Sequence, residues 1–213
     1  MEIKQAIITI SSALFIVGCG GGGGAGGTTE TSATDGDSQN QAPTSAITTP
    51  NPYPAELLTD DEREAFLKVI NDARSIEQDC GSKGVYAAAP ALKWSDELYS
   101  AAVEHSTDMV ESDIFQHDGS GTDSDWTGMD IGKASSVADR LENNGYTDWR
   151  KIGENITAGT ERDTAQEAVD AWLESDAHCA ILMSTGYTEV GMAHVEDTNA
   201  YYTHYWTQNF GSR

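Results

Sequence analysis

Basic residues are scarce in this chain. Twelve lysines and arginines stand against 35 aspartates and glutamates over 213 residues, a formal net charge of −23. So few cations cannot displace counterions from a phosphate backbone, which argues against nucleic acid as a partner. The same scarcity argues against electrostatic docking to anionic lipid heads. Cysteine is scarce too, with only three. No G-x-S-x-G elbow is present, which disfavours a serine hydrolase. No H-E-x-x-H is present either, which disfavours a zincin-type metallopeptidase. There is no internal repeat and no alternation of strands and helices of the kind that builds parallel sheets.

The one long apolar run, Ala6 to Val17, is too short to span a bilayer as a helix and has no charged stop-transfer flank. It reads as a secretory signal. It ends in Ile16-Val17-Gly18-Cys19, which resembles the bacterial lipobox. That resemblance implies cleavage before Cys19 and a lipid anchor on its thiol. Residues 1–18 are then a lipoprotein signal. Residues 19–55 are Gly, Thr, Ser, Asp, Gln, Asn and Pro with almost nothing apolar, and read as a flexible tether. Residues 56–213 form one domain. Residues 1–55 hold four acids (Glu2, Glu30, Asp35, Asp37) and one base (Lys4), so the domain keeps a net charge of −20. With Cys19 assigned to lipidation, Cys80 and Cys179 remain. Two cysteines in an exported domain are expected to form a single disulfide.

Within the domain, Thr59-Asp60-Asp61-Glu62 is a capping box, followed by Phe66, Leu67, Ile70 and Ala73 at helical spacing. Ser95 opens a second helix over about 96–111, with His105 on its apolar stripe as a core histidine. Residues 118–133 read as an Asp- and Gly-rich loop. Asp123, Asp125 and Asp130 do not match the EF-hand spacing for calcium. Short helices are expected from Ser135 to Asn144 and from His178 to Met183. Thr164 to Glu167 is a second capping box, and strands are expected over Tyr187–Val195 and Tyr201–Phe210. This order indicates an α+β domain with helices covering an antiparallel sheet.

Three segments place chemistry-bearing side chains in unusual settings. They are Ile114-Phe115-Gln116-His117-Asp118-Gly119, Ile152-Gly153-Glu154-Asn155-Ile156, and Trp172 to His178. A glutamate among isoleucines is costly to bury unless it is paired or bound, and histidine is a natural partner. Two imidazoles and a carboxylate can hold a divalent metal such as zinc, or form a metal-free hydrogen-bonded cluster. Adjacent residues on a helix point about 100° apart, so Cys179 is not the nucleophile for His178 as base.

Six segments in register carry a resemblance: "LKWSDELYSAAVEHSTDM", "IFQHDG", "GYTDWRKIGENITAG", "AVDAWLESDAHCAILM", "YTEVGMAHV" and "YWTQNFG". Together they are similar to the bacterial branch of the CAP superfamily, which groups cysteine-rich secretory proteins, antigen 5 and plant pathogenesis-related proteins. The resemblance covers about residues 60–211. It implies a three-layer α-β-α sandwich with a central cleft. In eukaryotic members that cleft holds two histidines and two glutamates. His117 matches the first histidine, and Glu154 matches the glutamate of the G-E-N motif. His178 matches the histidine of the bacterial S-x-x-H segment. The fourth position falls at Ser175, with Glu174 and Asp176 on either side. Glu189 and His204 invite assignment because "HYWTQ" looks like "HYTQ", but in bacterial members Y-W-T-Q belongs to the last strand. His194 reads as an ordinary strand residue.

The resemblance implies a binding module first, for a lipid, a small hydrophobic ligand or a peptide, since members bind sterols and other lipids. Two other functions remain open. One is a metal-assisted peptidase with Glu154 as general base and His117 and His178 as ligands. The other is a structural or adhesion role. The expected location is the cell envelope, lipid-anchored at the outer membrane or the cell surface.

Overall fold

The computed structural model describes residues 58–213. The expected signal, tether and lipidated Cys19 lie outside them. Helix α1, Asp60–Arg74, starts at the expected capping box, in which Thr59 and the Glu62 side chain satisfy each other's backbone amides. Strands β1, Gln78–Asp79, and β2, Val85–Tyr86, form a small hairpin after it. Strand β3, Lys93–Trp94, leads into α2, Asp96–Ser112, which is capped by Ser95. Next come α3, Trp126–Ile131, and α4, Val137–Asn143, then β4, Lys151–Gly159. Helices α5, Ala165–Leu173, and α6, Asp176–Leu182, precede the antiparallel pair β5, Glu189–Glu196, and β6, His204–Ser212.

The four-stranded sheet runs β3-β5-β6-β4. The β4–β6 and β5–β6 pairs are antiparallel, and the two-residue edge strand β3 joins parallel to β5. Alternation along β6 sends its side chains to opposite faces. Ser106 of α2 donates to Thr207 at 2.8 Å, whereas Trp206 meets Phe66 of α1 edge-on with ring centroids 5.8 Å apart. Thus α2 and α4 cover one face, and α1, α5 and α6 cover the other. This is the α-β-α sandwich. Helix α2 lies so close to the sheet that a Cβ on Gly191 of β5 would stand 2.1 Å from the Tyr99 nitrogen. Only glycine fits there.

Cys80 and Cys179 are bonded, with Cα atoms 5.4 Å apart across 99 positions of sequence. The bond ties α6 to the turn after β1. Asp176 adds a second tie by accepting the Ser82 N–H at 2.8 Å.

The segment expected as a bare loop, 118–133, contains α3. Buried carboxylates order it. Asp125 caps α3 through the Gly128 N–H at 2.9 Å and also accepts the Gly121 and Ser135 N–H groups. Asp108 of α2 accepts from the Ser120 N–H and from the Ser120 and Ser124 hydroxyls. These carboxylates face hydrogen-bond donors, the opposite of what calcium requires. Among the described residues, no helix is long and apolar enough to cross a membrane.

Candidate functional site

The site forms where β4 meets the loop after α2 and the start of α6. Glu154 lies on the β4 face that α2 and α4 cover, because it pairs across the ladder with Asn209, whose neighbour Thr207 two residues away points at α2. Its side chain is 1% exposed, and both oxygens are engaged. Oε1 accepts from His117 Nδ1 at 2.9 Å, and Oε2 accepts from Arg140 Nη2 at 2.9 Å. With its amide turned to satisfy both ends, Asn209 donates to Oε2 at 3.1 Å and accepts from the Ala102 N–H at 3.2 Å. Burial pushes the Glu154 carboxyl up, but Arg140, His105 and His117 pull it further down, to about 2. It is therefore a firmly ionised carboxylate.

Arg140 is the counter-charge, itself buried, and it comes from α4. It also donates to the His117 carbonyl at 2.8 Å and to the Ser135 carbonyl and hydroxyl. One guanidinium thus fixes the carboxylate and the loop that carries His117. Arg geometry suits this role, since its fork can serve several acceptors at once. The sequence reading missed Arg140. A signal was available: a glutamate buried among isoleucines demands a buried base, and bases are few.

His105 lies behind Glu154, with Nε2 3.8 Å from Oε1. Its Nε2–H donates to the Gln116 carbonyl at 2.9 Å, and burial pushes its pKa down to about 4. It is a neutral core histidine that shapes the loop leading to His117.

His117 is half exposed. Its hydrogen bond to Glu154 raises its pKa above the usual histidine range, against an opposing effect of burial. That bond uses Nδ1 and leaves Nε2 without a hydrogen-bond partner among the described residues. His178, in the first turn of α6, faces it with ring centroids 6.5 Å apart. Burial, then the nearby His117, lowers the His178 pKa. Neither ring nitrogen of His178 has a protein partner among the described residues. Asn155 of the G-E-N motif donates to the His178 carbonyl at 3.2 Å and so joins α6 to β4. The disulfide at Cys179 holds the same turn from the other side.

The remaining candidates fall elsewhere. Glu174 is exposed at the end of α5, and Ser175 sits at the N-cap of α6 without capping it. No hydrogen bond or ion pair joins either to Glu154. Asp176 turns toward the disulfide loop. Glu189 pairs with Arg213 and accepts from the Tyr146 hydroxyl at 2.8 Å. His204 is buried against His194 on the other face of the sheet, 3.0 Å apart, with no contact to Glu154.

Among the described residues, no group of three or more His, Cys, Asp and Glu is gathered to hold a metal. The donor set nonetheless suits a divalent ion at two imidazoles. A carboxylate bonded to the far nitrogen of a ligating histidine fixes its tautomer and orientation. Glu154 stands in that relation to His117. With both oxygens engaged, it supports His117 from behind instead of offering a ligand oxygen of its own.

Several known proteins are similar to this chain. The chain is 33% identical over 122 residues to the uncharacterised membrane protein YlbC of Bacillus subtilis, covering 57% of this chain and 29% of that protein. It is 25% identical over 181 residues to the uncharacterised protein YkwD of the same organism, covering 85% and 59%. It thus spans less than two thirds of either relative. An outer surface protein from Borrelia burgdorferi superposes with a TM-score of 0.51 at 18% identity, over 73% of this chain and 96% of that one. An SCP-domain extracellular protein from Bacillus anthracis superposes with a TM-score of 0.48 at 22% identity, over 73% and 44%. The family model for the cysteine-rich secretory proteins matches residues 67–210, and the chain belongs to that family, the CAP proteins.

Proposed function

We propose that this is an exported, lipid-anchored envelope protein whose CAP domain is a binding module. Its cleft receives a lipid, a small hydrophobic molecule or a peptide beside His117 and His178. Those two imidazoles can take a divalent metal such as zinc. The observation that carries this reading is the Glu154–His117 bond at 2.9 Å, which holds one half-exposed imidazole beside another, ring centroids 6.5 Å apart. A bound ion would supply Lewis acidity and open coordination positions for a ligand. The chain's own residues supply the rest. Arg140 keeps Glu154 ionised, Glu154 sets the His117 tautomer, and the disulfide and Asn155 hold His178 in place.

Export is supported by the leader and by the disulfide, since such bonds persist in oxidising compartments. The names of two similar proteins, a membrane protein in Bacillus and an outer surface protein in Borrelia, agree with an envelope location. Hydrolysis gains less support. A general base works best with a pKa near the working pH. Glu154, held at about 2 and enclosed by Arg140, is far from that.

The test is a thermal-shift series on the purified protein with and without zinc. We expect zinc to raise the melting temperature, and the rise to vanish in His117→Ala and in His178→Ala. A shift that survives both substitutions, or no shift in the wild type, removes the metal from this reading. Recovery of a bound lipid from the protein would identify the ligand class.

A further inference from the structure

The end of the domain beyond His117 carries a surface that the cleft does not use. Asp113 follows α2 in the left-handed conformation, with φ 54°. Its Oδ1 accepts the Tyr201 N–H at 3.0 Å, which ties the β5–β6 turn to the end of α2. Across that junction Phe115 meets Tyr202 edge-on, with ring centroids 6.0 Å apart. Tyr201 meets Tyr202 at 4.8 Å, and Tyr202 meets the buried Tyr205 at 5.9 Å. Tyr201 is 77% exposed and Phe115 43%, with Ile114 also exposed beside them. Scattered exposed apolar side chains need no explanation, but rings in mutual contact at the surface mark a place where something docks.

Charge supplies a second, independent observation. The two segments that form the ledge, 111–118 and 196–202, contain no lysine or arginine, and the base nearest along the sheet, Arg162 after β4, is turned onto the Ala158 carbonyl. Helix α2 has no base in its last turn. It ends instead in Glu111, Ser112 and Asp113, which places acids at the negative end of the helix dipole, against the usual preference. None of the ion pairs among the described residues involves Glu111, Asp113, Asp118, Glu196 or Asp197. Elsewhere on the surface acids do find bases, as Asp72 finds Lys68 and Asp139 finds Lys133. Burial and the nearby Asp108 raise the Glu111 pKa, as expected where negative charge is not neutralised.

We propose that this aromatic and acidic ledge docks a lysine- or arginine-bearing segment of another polypeptide. Tyrosine and phenylalanine faces attract ammonium and guanidinium groups, and their apolar bodies cover the aliphatic stems of the same side chains. Acids at separate positions in the segments that carry the rings, Glu111, Asp113, Glu196 and Asp197, suit charges spaced along a chain. They do not suit a single metal ion, because no group of three is gathered among the described residues. The ledge needs neither His178 nor a metal, so this inference stands apart from the cleft reading.

The test is fluorescence anisotropy of a labelled Lys-Ser repeat peptide with the full chain in EDTA, which silences any metal at the histidines. We expect binding that weakens several-fold as salt rises from about 50 to about 200 mM. Phe115→Ala and Tyr201→Ala should each weaken it by about fivefold. The Glu111→Gln/Glu196→Gln pair should do the same, while the melting temperature stays unchanged. Asp61→Asn/Glu64→Gln, on the exposed side of α1, removes equal charge far from the ledge and should change affinity by less than about twofold. An α1 pair as damaging as the ledge pair overturns the proposal, because net charge alone would then explain binding. Binding indifferent to Tyr201 and Phe115 overturns it as well. So does equal competition by spermine, or Tyr201-dependent binding to neutral phosphatidylcholine vesicles in place of the peptide.

Discussion

Two pairs of histidines, one at the β4 edge of the sheet and one buried on the face that α1, α5 and α6 cover, show what makes an imidazole available. His117 and His178 stand half exposed, and the first is bonded to a buried carboxylate that a buried arginine holds ionised. His194 and His204 are buried together, 3.0 Å apart, and His194 lies flat on Trp206 with ring centroids 4.1 Å apart. Burial, then His204, pushes the His194 pKa down to about 3. The second pair carries the sequence that most resembles a familiar motif, "HYWTQ", yet it is a stack of rings in the core. Neighbouring charge and solvent access distinguish a site from a core cluster. Motif spelling does not.

The largest effect is expected from the disulfide, which closes a loop of 99 residues and serves only the first pair. Its removal by Cys80→Ser/Cys179→Ser should cost about 4–5 kcal/mol in urea denaturation by the chain-entropy account, and should abolish any zinc shift. The His194–His204 stack should stay protected in hydrogen exchange. Arg140→Ala comes next. It leaves Glu154 buried without its counter-charge and should cost about 3–5 kcal/mol. The double variant Arg140→Met/Glu154→Gln should recover most of that, and failure to recover it would show that the pair is not the cause.

Acid should act on the second pair more gently. A histidine buried neutral has a folded pKa below its unfolded one, so stability declines as pH falls from about 6.5 toward 3. By pH 5 the His194 contribution is about 2 kcal/mol. Wild type should therefore lose more stability between pH 7 and 5 than His194→Gln does. Glu154, with a folded pKa of about 2, acts in a lower window and loses its contribution only as pH falls below the ordinary glutamate range. The smallest effect on stability is expected from His117→Ala and His178→Ala. Both side chains are half exposed, and each change should cost under about 1 kcal/mol.

Much of this could be read before any coordinates. The capping boxes at Thr59 and Thr164, the helix behind Ser95 and the Cys80–Cys179 pair follow from local rules and cysteine arithmetic. His117, Glu154 and His178 stood out because their residue types were out of place. What was not legible depends on partners distant in sequence. Arg140 looks like any helix-surface base until Glu154 is placed 2.9 Å from it. Helix α3 forms in an Asp/Gly segment because Asp125 caps it and Glu104 of α2 accepts the Thr127 N–H at 2.9 Å. Lys93 and Trp94 give too short a run to announce a parallel edge strand.

The most direct measurement is an NMR titration of the histidine rings in the metal-free protein. The hydrogen bond to Glu154 predicts that His117 keeps its proton to a higher pH than an ordinary histidine. His178 should titrate below the ordinary value. His105 and His194 should stay neutral down to about pH 4 and about pH 3. If His117 instead titrates below His178, Glu154 does not orient it, and the account of the site is wrong.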